Sequence, residues 1–158
     1  MPPTTRSATA ARATTPSAPL YTALLNDGTA FKHWALFLDT PTPNPHSAPK
    51  LLLNALGSSE SAHGFRYECV VVTPANNPRN NPALHQLVYL CEVGVGDVER
   101  VREVAGSVRI RNDVRGWNCQ DFVLEVLGGL EGVGVIEGGE GGYMGRKEGL
   151  EGMVEGLG

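Results

Sequence analysis

The chain has 158 residues, 41% hydrophobic and 19% charged, with a formal net charge of -4. This length supports one domain whose core needs no metal or disulfide staple. The acidic balance argues against the basic footprint of a nucleic-acid binder. No apolar run reaches the ~18 residues that cross a bilayer, so no transmembrane segment is expected.

Met1 to Pro19 consists of Thr, Ser, Ala and Pro with Arg6 and Arg12 and no acidic residue. Such a stretch buries too little apolar surface to order itself, so residues 1–19 are expected to be a disordered tail. Its composition is also compatible with a transit peptide, against the main expectation of a cytoplasmic protein. A single domain is then expected over residues 20–137. Its first strand is Phe31 to Leu38, stopped by Asp39 and prolines; Lys50 to Leu56, Gly64 to Thr73 and His85 to Val93 follow as strands. Asn76 to Pro82, "NNPRNNP", is a loop built from turn residues.

The period then changes. Asp97 is an N-cap candidate, and Val98, Val101, Ala105 and Val108 recur at helical spacing. A loop from Arg109 to Gly116 precedes a second helix from Asn118 to about Leu130. Residues 138–158 are Gly-rich. Gly costs about 1 kcal/mol per helical position relative to Ala, so poor order is expected there, with a weak helix from Arg146 to Leu157. Strands followed by helices imply an α+β fold: a mostly antiparallel sheet of four to five strands packed on two to three helices.

Cys69, Cys91 and Cys119 are odd in number and form no C-x-x-C, which excludes a zinc ribbon or thioredoxin-type motif and suits a reducing compartment. Cys69 and Cys91 lie in apolar strands and read as small buried hydrophobes. Cys119, in "GWNCQDF", is different. With Asn118 as N-cap, Asp121 falls at N3 as in a capping box, and Trp117 and Phe122 take the two positions of a hydrophobic staple. Cys119 is then N1, where the helix dipole favours a thiolate and free N–H groups can hold an oxyanion. The same position also suits an inert buried cysteine.

A nucleophilic thiol needs a base. His33 sits within an apolar strand and must find a polar partner or an edge. His46 lies in a Pro-rich loop and is expected to be solvated; His63 and His85 stand at strand starts. Asn54, the one polar interruption of "LLLNALG", also needs a partner if interior. A metal site from Cys119 and two histidines has no matching ligand spacing, and no cofactor is expected.

"HWALFL" (His33 to Leu38) and "NCQDFV" (Asn118 to Val123) together resemble the His and Cys motifs of circularly permuted papain-fold proteins, among them the lecithin:retinol acyltransferase family and permuted papain-fold isopeptidases. The span from Lys32 to about Ile136 is also similar to a group of filamentous-fungal proteins sharing HWALF and NCQ(D/E)(F/W). The resemblance implies a sheet bearing the His packed on the helix bearing the Cys. It matches Cys119 to the nucleophile, His33 to the base and Asn54 to the orienting residue, with His63 in reserve; Asn118, Trp117 and Gln120 flank the thiol as oxyanion or supporting residues. The implied activity is a cysteine-dependent hydrolase or acyltransferase acting on an amide, ester or thioester of a small molecule, a lipid acyl group or an isopeptide. The competing expectation is an inactive relative serving as a protein-interaction module. The second His and longer flanking motifs of the acyltransferase family are not evident.

Overall fold

Along HWALFL, Trp34, Leu36 and Leu38 alternate with His33, Ala35 and Phe37, so this strand carries apolar residues on both faces. Both faces are buried: every residue from Trp34 to Leu38 is at most 1% exposed. The computed structural model, which describes residues 16–28, 31–41, 48–58, 62–139 and 141–155, shows what covers them. The described strands are β1 (Ser17–Leu25), β2 (His33–Leu38), β3 (Leu51–Gly57), β4 (Phe65–Val71) and β5 (Leu84–Gly94). The helices are α1 (Val98–Ser107), α2 (Cys119–Gly132) and α3 (Tyr143–Glu151). The strands form one antiparallel sheet in the order β4-β3-β2-β1-β5. The fold is α+β.

One face of the sheet, with Leu20, Leu24, Trp34, Leu36, Leu51 and Leu53, packs on the helices. On α2, Phe122, Val123, Val126, Leu127 and Leu130 are fully buried. Burying five such side chains is worth roughly 10 kcal/mol of gross transfer energy, which seats α2 firmly and fixes its first turn. On the other face the Arg79 guanidinium lies 5.1 Å from the Tyr21 ring and 6.0 Å from that of Phe37. Asp39 holds it at 3.0 Å and also takes Lys50 at 2.6 Å.

The start of α2 follows its local code. Asn118 Oδ1 accepts from Gln120 N at 2.8 Å, and Asp121 Oδ2 accepts from Asn118 N at 2.9 Å, the reciprocal capping box. The two staple aromatics find ring partners on β4: Trp117 meets Phe65 edge-on and Phe122 tilts against Tyr67.

Two stretches differ from expectation. β1 begins at Ser17, inside the segment read as tail, and it is a central strand although it contains Pro19. A proline lacks the N–H that a ladder uses; here it sits beside a register shift between Leu20 and Tyr21, near the strand's start. Its carbonyl still accepts from Asp39 N at 3.0 Å. The Gly-rich stretch is also better ordered than composition implies, because a few side chains anchor it. Ile136, Tyr143 and Leu150 are buried, and Glu131 accepts from the Tyr143 hydroxyl and from Lys147 Nζ, each at 2.6 Å. The last helix therefore runs from Tyr143 to Glu151, several residues earlier than expected. The expectations for Met1 to Thr15, for His46 and for residues 156–157 lie outside the described residues.

The β3–β4 connection depends on Gly57. Its φ is +118°, and an added Cβ would meet the Gly64 carbonyl oxygen. Gly57→Ala is expected to cost more than ~2 kcal/mol. Gly28→Ala, at φ +88° with open space around it, should cost about 1 kcal/mol. Urea unfolding of the two variants checks the difference.

Candidate functional site

The β2–β3 ladder runs only from Leu38↔Leu51 to Leu36↔Leu53. Beyond it the edge of β2 near Trp34 and Lys32 needs other partners, since buried backbone groups are almost always paired. The first turn of α2 supplies them. Trp34 N–H donates to Cys119 Sγ at 3.5 Å, and the Lys32 carbonyl accepts from Gln120 Nε2 at 3.0 Å. Cys119 is 3% exposed and Gln120 is fully buried. The sulfur thus lies against the His33–Trp34 peptide, at the mouth of the gap between β2 and β3.

His33 and Asn54 flank the same gap. The His33 Nε2 and Asn54 Oδ1 atoms are 3.0 Å apart, and Asn54 Nδ2 reaches the Glu68 carbonyl at 3.5 Å. With its amide committed to Glu68, Asn54 presents its oxygen to the ring. Nε2 then carries the proton and Nδ1 is the basic nitrogen, an assignment made from the hydrogen-bond network. Strand alternation places His33 and Asn54 on the face opposite Trp34 and Leu53, while α2 approaches from the Trp34 side. Thiol and imidazole each bond to another group: the sulfur accepts from Trp34 N–H, and the ring pairs with Asn54.

Electrostatics differ from the expectation of an activated thiolate. Burial pushes the Cys119 thiol up to about 11; Asp27 and Asp121 push it the same way, while the Trp34 and Cys119 amides pull it down. Desolvation outweighs the helix terminus. Burial holds His33 below its ordinary 6.5, against the opposing pull of its Asn54 hydrogen bond and of Asp27. Both groups rest neutral at pH 7.

The supporting residues divide by role. Asn118 is committed to the cap, and its Nδ2 donates to the Gly116 carbonyl at 3.3 Å. Trp117 braces the turn, its Nε1 donating to Glu125 at 2.8 Å, and Glu125 also takes Arg111 at 2.9 Å. Gln120 joins helix to strand. Of the two candidates for orienting His33, Asn54 is the one bonded to it; His63 is exposed in the turn before β4. Sequence reasoning missed Asp27, whose charge acts on both Cys119 and His33, and missed Lys32 and Glu155. Lys32 N donates to Glu155 Oε1 at 3.2 Å, and Glu155 N donates to Gln120 Oε1 at 2.7 Å. The Lys32–Glu155 contact spans 123 positions, so no local pattern announces it. Among the described residues, no group of three His, Cys, Asp or Glu side chains converges to hold a metal ion, and no helix is long and apolar enough to cross a membrane.

Fold and site together define an α+β protein with a buried cysteine at a helix start, bonded to the backbone of a strand whose His33 pairs with Asn54 on the next strand. Residues 20–137 match the family model DUF6540, described as a family of unknown function, and the chain belongs to that family. No curated protein and no solved structure matches it.

The raised thiol makes a linkage prediction. The unfolded thiol ionises near 9 and the folded one near 11, so Cys119 stabilises the fold fully below pH 9 and loses that contribution as pH rises to 11. The stability difference between wild type and Cys119→Ala should therefore shrink across pH 9 to 11. Urea midpoints measured at both ends check this, and a constant difference would contradict a raised thiol.

Proposed function

We propose that the protein is a cysteine-dependent hydrolase or acyltransferase of permuted papain-like type, acting on an amide, ester or thioester. The observation that carries this reading is the His33–Asn54 hydrogen bond beside the gap that receives Cys119. It turns Nε2 toward Asn54 and leaves Nδ1 as the basic nitrogen, as an orienting residue must do.

The chemistry runs in two halves. His33 Nδ1 takes the thiol proton as Cys119 Sγ bonds to the substrate carbonyl carbon. The carbonyl π electrons move to oxygen, and the Cys119 N–H, which turns toward its own sulfur, stabilises that oxyanion. The carbon–heteroatom bond then breaks and His33 returns the proton to the leaving group. Water or an acceptor amine resolves the thioacyl enzyme, with His33 taking the proton of the incoming group and returning it to sulfur. Magnitudes favour proton transfer during attack over a standing ion pair. With the thiol near 11 and the imidazole below 6.5, moving the proton costs about 6 kcal/mol or more at 1.36 kcal/mol per pH unit. The attraction of the ions formed returns about 4 kcal/mol at ~4 Å and an effective dielectric constant near 20.

One observation favours a second reading. The sulfur is buried, raised in pKa and bonded to a backbone amide, as suits an inactive relative that serves as an interaction module.

An activated thioester with mass-spectrometric detection of the acyl adduct separates the two. Under the catalytic reading Cys119 is acylated, Cys119→Ala is inactive, and His33→Ala lowers the acylation rate by about 10²–10⁴-fold. Acylation should fall as pH drops through a value below 6.5, where the base becomes protonated. Absence of any Cys119 adduct in the folded protein would leave the interaction-module reading.

A further inference from the structure

Residues 152–155, which follow α3, return to the site. Glu155 N donates to Gln120 Oε1 at 2.7 Å, and the Glu155 carboxylate takes both the Lys32 amide, at 3.2 Å, and its ammonium, at 3.5 Å. Gln120 and Lys32 are the chain neighbours of Cys119 and His33. The buried Gln120 amide is thus used at both ends: its nitrogen reads the Lys32 carbonyl, and its oxygen reads a backbone N–H of the incoming segment. This is how a site recognises an extended chain, one group for the backbone and one for a side-chain charge. The segment's apolar residues contribute little, since Met153 is 37% and Val154 46% exposed. The polar latch therefore holds it against the site.

We propose that Gln120 and Lys32 form an anchoring subsite for an extended acidic polypeptide segment, and that Val154–Glu155 fills this subsite in cis and closes the approach to Cys119. The inference rests on the catalytic reading for its substrate class: a peptide or isopeptide bearing an acidic residue, which must displace the cis segment to reach the thiol.

The test is the alkylation rate of Cys119 by iodoacetamide, mapped by mass spectrometry with Cys69 and Cys91 as internal references. Glu155→Lys and Lys32→Glu should each speed Cys119 about fivefold, the size of one half-exposed charged hydrogen bond. The double variant, with the charges exchanged, should return toward the wild-type rate. A peptide of the sequence from Leu150 to Glu155, LEGMVE, should slow Cys119 in the Glu155→Lys protein, while the same peptide ending in Lys should not. Unchanged Cys119 rates in both single variants would overturn the proposal. So would an equal rise at Cys69 and Cys91, which reports general loosening, or failure of the double variant to restore protection. Alkylation needs no turnover, so the outcomes separate. Charge-dependent protection without thioester acylation in the Glu155→Lys protein removes the catalytic reading and keeps the subsite. Acylation without charge-dependent protection does the reverse.

Discussion

Early termination of the β2–β3 ladder is the constraint on which the site depends. Past Leu36↔Leu53 the two strands no longer pair, yet the backbone of Lys32 and Trp34 still requires partners. Three groups from distant parts of the chain meet that requirement: the Cys119 sulfur, the Gln120 amide and the Glu155 carboxylate. The cysteine is therefore at the gap because a strand edge needs closing there. His33 and Asn54 belong to the two strands that have parted, and their side chains pair with each other beyond the end of the ladder. Burial of the apolar face of α2 supplies the energy that holds the first turn in this gap.

Two opposing effects act on the thiol, and their balance decides its resting state. A helix N-terminus and two nearby backbone amides favour the thiolate. Removal from water favours the thiol and is the larger effect, and the Asp27 and Asp121 charges add to it. The imidazole is biased the opposite way by the same burial. Burial therefore leaves both groups neutral at pH 7.

Much of this was legible in the sequence, where the determinants are local. The Asn118–Asp121 cap, the buried stripe from Phe122 to Leu130, and Asn54 as a polar residue needing a partner all follow from spacing and hydrogen-bonding capacity. β1 was illegible because its start, Ser17 to Pro19, has the Ser/Ala/Pro composition of the preceding tail; pairing on both sides overrides that weak propensity. The order around Tyr143 was illegible for a related reason. Glycine content sets the average cost of ordering, but Tyr143, Ile136 and Leu150 gain burial that composition does not reveal. The N1 position alone implies the opposite sign for the thiol's shift, because depth of burial is a tertiary property.

The latch links access to reactivity. The Lys32–Glu155 ion pair is part exposed at 3.5 Å, and such pairs contribute no more than ~1 kcal/mol, so the segment after α3 is held weakly compared with the core beneath it. Displacing it returns Lys32 N–H and Gln120 Oε1 to water or to a competing chain, neither of which leaves a stranded polar group. Water reaching the gap also weakens the main cause of the raised thiol, which is burial. Cys119 would then become both reachable and more acidic in one movement, while its capped helix and the His33–Asn54 pair stay in place. A closed state that protects the sulfur and an open state that activates it would thus differ by three polar contacts, each within one residue of the proposed dyad.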